Sequence, residues 1–127
     1  MTYLLDTHLL LWAAYAPDKL SAPARALIED PANDLYFSVT SLWEVAIKAA
    51  LGRADFTVDA GMLRAGLIQN GYIEQVIEGR HVLTLTSLPR HHADPFDRML
   101  VAQALADGRP LVTADRALAA YPGVLPV

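Results

Sequence analysis

An α/β fold is the expectation from three features of this 127-residue sequence. Short apolar bursts alternate along the chain with longer stretches of helical composition. The bursts are dense rather than alternating, the pattern of strands buried on both faces of a parallel sheet. Hydrophobic residues make up 54% and charged residues 19%, enough apolar surface for one core and too little polarity for disorder. Parallel strands joined by helices make right-handed βαβ units, with helices covering both faces of the sheet. Strand order has no local signature.

Taken in order, Tyr3-Leu4-Leu5 reads as a buried strand and Leu9 to Tyr15 as a short helix ended by Pro17. Ser21 to Glu29 reads as a helix, with Ser21 as N-cap and Pro23 in its first turn. Leu35 to Val39 is rich in aromatic and branched residues and predicts a strand, followed by a helix from Leu42 to Leu51 that Gly52 stops. Asp59 to Gln69 is a helix closed by Asn70-Gly71, Tyr72 to Ile77 a strand, and His81 to Leu88 a short helix. Asp94-Pro95 opens the clearest helix, which runs to Asp107 with Gly108 as its stop. Pro110 to Thr113 is a strand, Asp115 to Ala120 a helix, and Val124-Leu125 a last edge strand.

Composition limits the function. Ten Lys and Arg against fourteen Asp and Glu give a net charge of −4, which argues against a general basic surface for nucleic acid. The absence of cysteine removes disulfides, thiolate zinc sites and cysteine nucleophiles. No secretory signal is readable, and no stretch reaches the roughly 18 apolar residues that a membrane span needs. A single domain over residues 1–127, cytoplasmic and without a membrane partner, is the expectation.

Ligands of an open parallel sheet bind beyond the carboxyl ends of its strands. Acids stand where the chain leaves strands or opens helices: Asp6, Glu44, Asp94 with Asp97, and Asp115. Each also has a structural reading. Ser41-Leu42-Trp43-Glu44 fits a capping box, Asp94 fits an N-cap, Asp97 suits the positive end of the helix dipole, and Asp6 and Asp115 suit caps. Jointly they imply more. Carboxylates converging on one sheet edge repel one another unless a cation sits between them. An oxygen donor set suits Mg2+ or Mn2+, and such an ion suits phosphodiester chemistry.

Asp6-Thr7, Ser41-Leu42-Trp43-Glu44, the run from Asp94 to Ala104 and Thr113-Ala114-Asp115 resemble, in order, the four acidic motifs of PIN-domain ribonucleases, and within them the VapC toxins of type II toxin–antitoxin pairs. The resemblance spans nearly the whole chain. It implies a three-layer α/β/α sandwich around a mostly parallel sheet of four or five strands. It further implies a Mg2+- or Mn2+-dependent endoribonuclease, with a VapB-like antitoxin as partner, RNA as substrate, and pairing as a homodimer. By motif position Asp6, Glu44, Asp97 and Asp115 form the catalytic quartet. Asp6 and Asp97 would be the direct metal ligands, while Glu44 and Asp115 would act directly or through water. Thr7, Thr113 and Asp94 would support the site.

Lys48, one turn after Glu44, fits a helical ion pair or a contact to RNA phosphate, and Arg98 fits a phosphate contact or a surface ion pair. His91-His92 does not read as a metal pair, because adjacent loop histidines diverge and no third ligand has metal-site spacing. His8 reads as a partly buried structural histidine. Two other functions compete with the nuclease: a non-catalytic PIN-like binding module whose acids only cap helices, and a metal-dependent phosphatase using Asp6 as nucleophile. The phosphatase lacks a second carboxylate two positions after Asp6. Four acids at one site would account for the whole excess of −4, leaving the remaining surface near neutral.

Overall fold

The computed structural model describes residues 1–127 and contains five strands and six α-helices. Strand β1 (Thr2–Leu5) leads to α1 (Thr7–Tyr15), a 3-10 turn (Pro17–Lys19) and α2 (Ala22–Glu29). Then follow β2 (Asp34–Ser38), α3 (Val39–Ala50), α4 (Ala60–Gln69), β3 (Ile73–Gln75), α5 (Gly79–Thr86) and α6 (Pro95–Asp107). Strand β4 (Leu111–Thr113), a second 3-10 turn (Arg116–Ala120) and β5 (Val124–Pro126) close the chain.

All four ladders are parallel, and the strand order is β3-β2-β1-β4-β5. The chain builds outward from β1 through β2 to β3, then returns to the other side of β1 for β4 and β5. That reversal puts a topological switch point between β1 and β4, the place where an open α/β sheet forms its crevice.

Adjacent strand residues point to opposite faces, so Leu4-Leu5 and Leu111-Val112 each supply both cores. Leu4 and Leu111 pack with Met99, Leu100, Val101 and Leu118 under α6. Leu5 and Val112 pack with Leu9, Leu10, Phe37, Val45 and Leu63 under α1, α3 and α4. The sheet is therefore a middle layer, covered on both sides as its dense apolar bursts imply.

Most element boundaries follow the expected stops. Gly108 adopts φ +67 after α6 and Gly71 adopts φ +86 after α4, a left-handed conformation cheap only for glycine. Other boundaries differ from expectation: α5 spans Gly79–Thr86 rather than His81 to Leu88, β3 is limited to Ile73–Gln75 within the expected Tyr72 to Ile77, and three more shift with their caps. Helix α1 begins at Thr7, because Asp6 itself is its N-cap. Helix α3 begins at Val39 rather than Leu42, because Ser38 is the cap: its hydroxyl accepts the Thr40 N–H at 2.9 Å. The expected capping box of Ser41 and Glu44 is thus absent, and both side chains lie inside the helix with other partners. The final helix after Asp115 is a single 3-10 stretch.

Candidate active site

Asp6 ends the central strand and is 4% exposed. One carboxylate oxygen accepts the Leu9 N–H at 2.9 Å, capping α1. The other accepts the Thr113 hydroxyl from β4, across the switch point. The Thr113 oxygen in turn accepts the Asp115 N–H at 3.0 Å, so one threonine ties both acid-bearing loops together. Burial raises the Asp6 pKa above the usual carboxylate value. The hydrogen bonds from Thr113 and Leu9 and the nearby His8 oppose this, while the Asp115 charge adds to it. Asp115 is exposed and caps the following turn by accepting the Ala117 N–H at 2.9 Å.

Glu44 comes from the second turn of α3 and is 3% exposed. Its Oε1 lies 2.8 Å from the Thr7 hydroxyl, which also lies 2.9 Å from the Ser41 hydroxyl. A carboxylate only accepts, so Thr7 gives its single proton to Glu44 and Ser41 donates to Thr7. The second oxygen of Glu44 is 2.8 Å from Lys48 Nζ. A buried charge needs such partners, and Glu44 has both of its oxygens satisfied.

Asp97 occupies the third position of α6. Asp94 caps that helix, accepting the N–H groups of Phe96 at 2.8 Å and Asp97 at 3.0 Å. The Asp97 pKa is raised to about 6 by burial first and by the Asp94 charge next. Glu44 adds to the rise, and His92 opposes it through a hydrogen bond and its charge. His92 Nε2 lies 2.9 Å from Asp97 Oδ2. The loop carrying His92 is pinned from below by Tyr121, whose hydroxyl oxygen accepts the backbone N–H groups of His91 and His92, each at 3.1 Å.

The fold thus gathers acids from four separate elements at the carboxyl edge of β1, β2 and β4. Ligand atoms of His92, Asp97 and Asp115 all lie within 4.8 Å of one another. Asp6 joins Asp115 through the shared Thr113 hydroxyl, and Glu44 is held beside Asp6 by Thr7, with its charge adding to the rise at Asp97. The supporting threonines hold Asp6 and Glu44, and Asp94 both caps α6 and raises Asp97. Capping and clustering are therefore not alternatives: Asp6, Asp94 and Asp115 do both. Lys48 is engaged by Glu44, and Arg98 donates from one nitrogen to the Pro89 carbonyl at 3.0 Å and to the Tyr121 hydroxyl at 3.1 Å.

Three further groups at this edge were given no role of their own by the sequence, although Ser41 and Gln103 lie within the acidic motifs. His92 arrives only because Tyr121 folds the loop back. Ser41 reaches Thr7 only because α3 starts early. Gln103, fully buried in α6, takes the hydroxyl of Ser38 at 2.6 Å and of Thr40 at 3.1 Å, locking the start of α3 to α6. Its lone signal is a polar residue at an otherwise apolar position of the clearest helix.

The donor set suits a divalent cation. It offers carboxylates and one imidazole and no thiolate, and burial and mutual repulsion raise the pKa values of Asp6 and Asp97, a cost that a cation would relieve.

Comparison with known proteins bears on the family and the fold. The chain is 30% identical, over an alignment of 137 residues covering 99% of it and 96% of the relative, to Ribonuclease VapC22 of Mycobacterium tuberculosis. Among solved structures it resembles VapBC2 from Rickettsia felis bound to a DNA fragment from their promoter, with TM-score 0.68 and 16% identity, covering 100% of this chain and 98% of that one. It also resembles a toxin–antitoxin complex from Klebsiella pneumoniae, with TM-score 0.62 and 19% identity over 97% and 95% of the two chains. The PIN domain family matches residues 3–124, and the chain belongs to that family.

Proposed function

We propose that this chain is a metal-dependent endoribonuclease that hydrolyses RNA phosphodiester bonds as the toxin of a type II toxin–antitoxin pair. The observation that carries the reading is the convergence of Asp6, Glu44, Asp97 and Asp115 from four elements on the β1–β4 switch point. The full-length similarity to a named ribonuclease supports it. Asp6 and Asp97 would hold a Mg2+ or Mn2+ ion directly, and Glu44 and Asp115 would contribute directly or through water. When bound, such an ion lowers the pKa of a coordinated water and neutralises charge developing on the phosphoryl oxygens.

The chain's own groups prepare that site. The Thr113 and Leu9 hydrogen bonds fix the Asp6 carboxylate, and Thr7 and Lys48 fix that of Glu44, so neither has to reorganise during reaction. Lys48 is one-third exposed and stands at the rim, where its ammonium can meet RNA phosphate while still paired with Glu44. Arg98 shares that proposed role with the nitrogens its Pro89 and Tyr121 contacts leave free.

Two apolar surfaces support the protein partners. Helices α1, α2 and α4 enclose a groove of about 530 Å3 lined by Tyr15, Ile28, Met62, Leu67 and Tyr72, a shape suited to an amphipathic antitoxin segment. Helix α3 exposes Trp43 and Ile47, and its C-cap Leu51 continues their four-residue spacing, one stripe on which a second copy can pack. No helix is long and apolar enough to cross a membrane.

The test is cleavage of RNA by the purified chain with Mg2+ or Mn2+ and with chelator. Asp6→Asn and Asp97→Asn are expected to abolish cleavage while circular dichroism stays unchanged; cleavage retained in both would refute the assignment. The non-catalytic binding module draws on the same caps, and it predicts no stabilisation by millimolar Mn2+. The phosphatase reading is weakened further, since the position two after Asp6 is an exposed histidine on α1.

A further inference from the structure

The chain has four histidines, and only one places a ring nitrogen on a carboxylate of the acidic edge. His81 is fully buried with both nitrogens used, Nδ1 accepting the Glu78 N–H at 2.9 Å and Nε2 facing Asp107 at 3.1 Å. His91 packs its ring against Tyr121, with centroids 5.0 Å apart. His8 lies on the exposed side of α1, its ring 6.0 Å from that of Trp12. His92 instead sits 2.9 Å from Asp97 Oδ2, with Asp115 in the same group of ligand atoms.

We propose that His92 is a nitrogen ligand of the metal site, and that it makes the site favour Mn2+ over Mg2+. The inference rests on the metal-dependent reading above and adds a donor that the four acidic motifs do not contain. Ligands about 2.1 Å from one ion lie about 3 Å apart when adjacent and about 4.2 Å apart when opposite. The His92–Asp97 contact at 2.9 Å is a hydrogen bond whose Nε2 proton a cation would displace, and the ligand atoms of His92, Asp97 and Asp115, all within 4.8 Å of one another, lie within about 0.6 Å of the spacing of one such shell. The placement is built in rather than incidental. Two consecutive N–H groups of the loop are held by the hydroxyl of Tyr121, a residue only 2% exposed, so the backbone under His92 is anchored to the core. Mg2+ strongly prefers oxygen, whereas an imidazole nitrogen raises affinity for Mn2+ and the later divalent metals. A site of carboxylates alone has no reason to discriminate between the two ions to the same degree.

The experiment is pulsed electron paramagnetic resonance of the full chain loaded with Mn2+, read for nitrogen modulation from a coordinated imidazole. Modulation is expected in the wild type, in His8→Gln and in His91→Gln, and is expected to vanish in His92→Gln and His92→Asn. Titration should show Mn2+ affinity falling at least about tenfold in His92→Gln, with Mg2+ affinity changed less than about twofold. Circular dichroism of both His92 variants checks that they fold, and two different replacements guard against a defect peculiar to one. Modulation that persists in the His92 variants, or its absence from a wild type that binds Mn2+, overturns the proposal. Asp97→Asn separates the two levels: if it loses Mn2+ while His92→Gln binds like wild type, the metal site stands and His92 is not its ligand. A wild type that binds no Mn2+ at millimolar concentration overturns both.

Discussion

Replacing Asp97 by asparagine should stabilise the protein when metal is absent, although it removes a central residue of the proposed site. The carboxyl of Asp97 is raised from 3.8 to about 6, so its ionised form is disfavoured in the folded state by about two pKa units. At 1.36 kcal/mol per unit, the folded protein carries about 3 kcal/mol of strain from this one charge above pH 6. The side chain is 22% exposed, and asparagine keeps the oxygen that faces His92, so about 2 kcal/mol of the strain should be recovered. For a chain of this size that is a rise in Tm of roughly 8 °C at pH 8 in chelator. The sign reverses its visibility with pH. A raised folded pKa means that the native protein takes up its proton first, so wild-type stability increases as pH falls from about 6 towards 3.8. The melting curves of wild type and variant should therefore converge by about pH 4. Millimolar Mn2+ should invert the order at pH 8, raising wild-type Tm and leaving the variant unmoved. A variant that melts below wild type in chelator at pH 8, or a difference independent of pH, would refute the reasoning.

Three other substitutions test separate parts of the structure. Thr113→Val keeps the shape but removes the hydroxyl that holds Asp6, and should cost about 1 to 3 kcal/mol in denaturant unfolding while weakening Mn2+ binding. Lys48→Met leaves the buried Glu44 carboxylate without its cation, and the expected loss is about 2 kcal/mol in chelator at pH 8, shrinking once metal is added. Asp107 lies away from the site. Its burial would raise its pKa, but the hydrogen bonds from His81 and Arg80 outweigh that and lower it. Its stabilising contribution should hold above about pH 4 and be lost as pH falls through the lowered value. Asp107→Ala should cost about 3 kcal/mol at pH 7, chiefly by leaving the buried His81 Nε2 without its acceptor and removing one partner each from Arg80 and Arg109, with the difference from wild type shrinking in urea melts at about pH 3.

The legible part of the molecule was what local chemistry encodes. Dense bursts such as Leu4-Leu5 and Leu111-Val112 announced strands buried on both faces, and Asp94-Pro95 with Gly108 bounded α6 at both ends. The acids were visible because they occupy strand ends and helix starts, positions where a sheet of this kind binds ligands. Strand order was not visible, since nothing local distinguishes a neighbour of β1 from a more distant strand. Val39 was misread as strand because its branched side chain favours β structure, while the deciding contact, Ser38 to Gln103, spans 65 residues. His92 was passed over for a related reason: its partner in sequence points elsewhere, and the group that aims it is the distant Tyr121.

The Thr113–Asp6 hydrogen bond joins residues 107 positions apart and sits where β4 slots in beside the first strand. Ladders between β1, β2 and β3, and the helices packed on them, can form with shorter loop closures and so at lower entropic cost. The acidic edge is therefore completed by one of the most expensive steps in folding. A partly folded chain would hold Asp6 and Glu44 in place yet lack Thr113 and Asp115 around them. Completing the acidic edge is in this way coupled to completing the sheet.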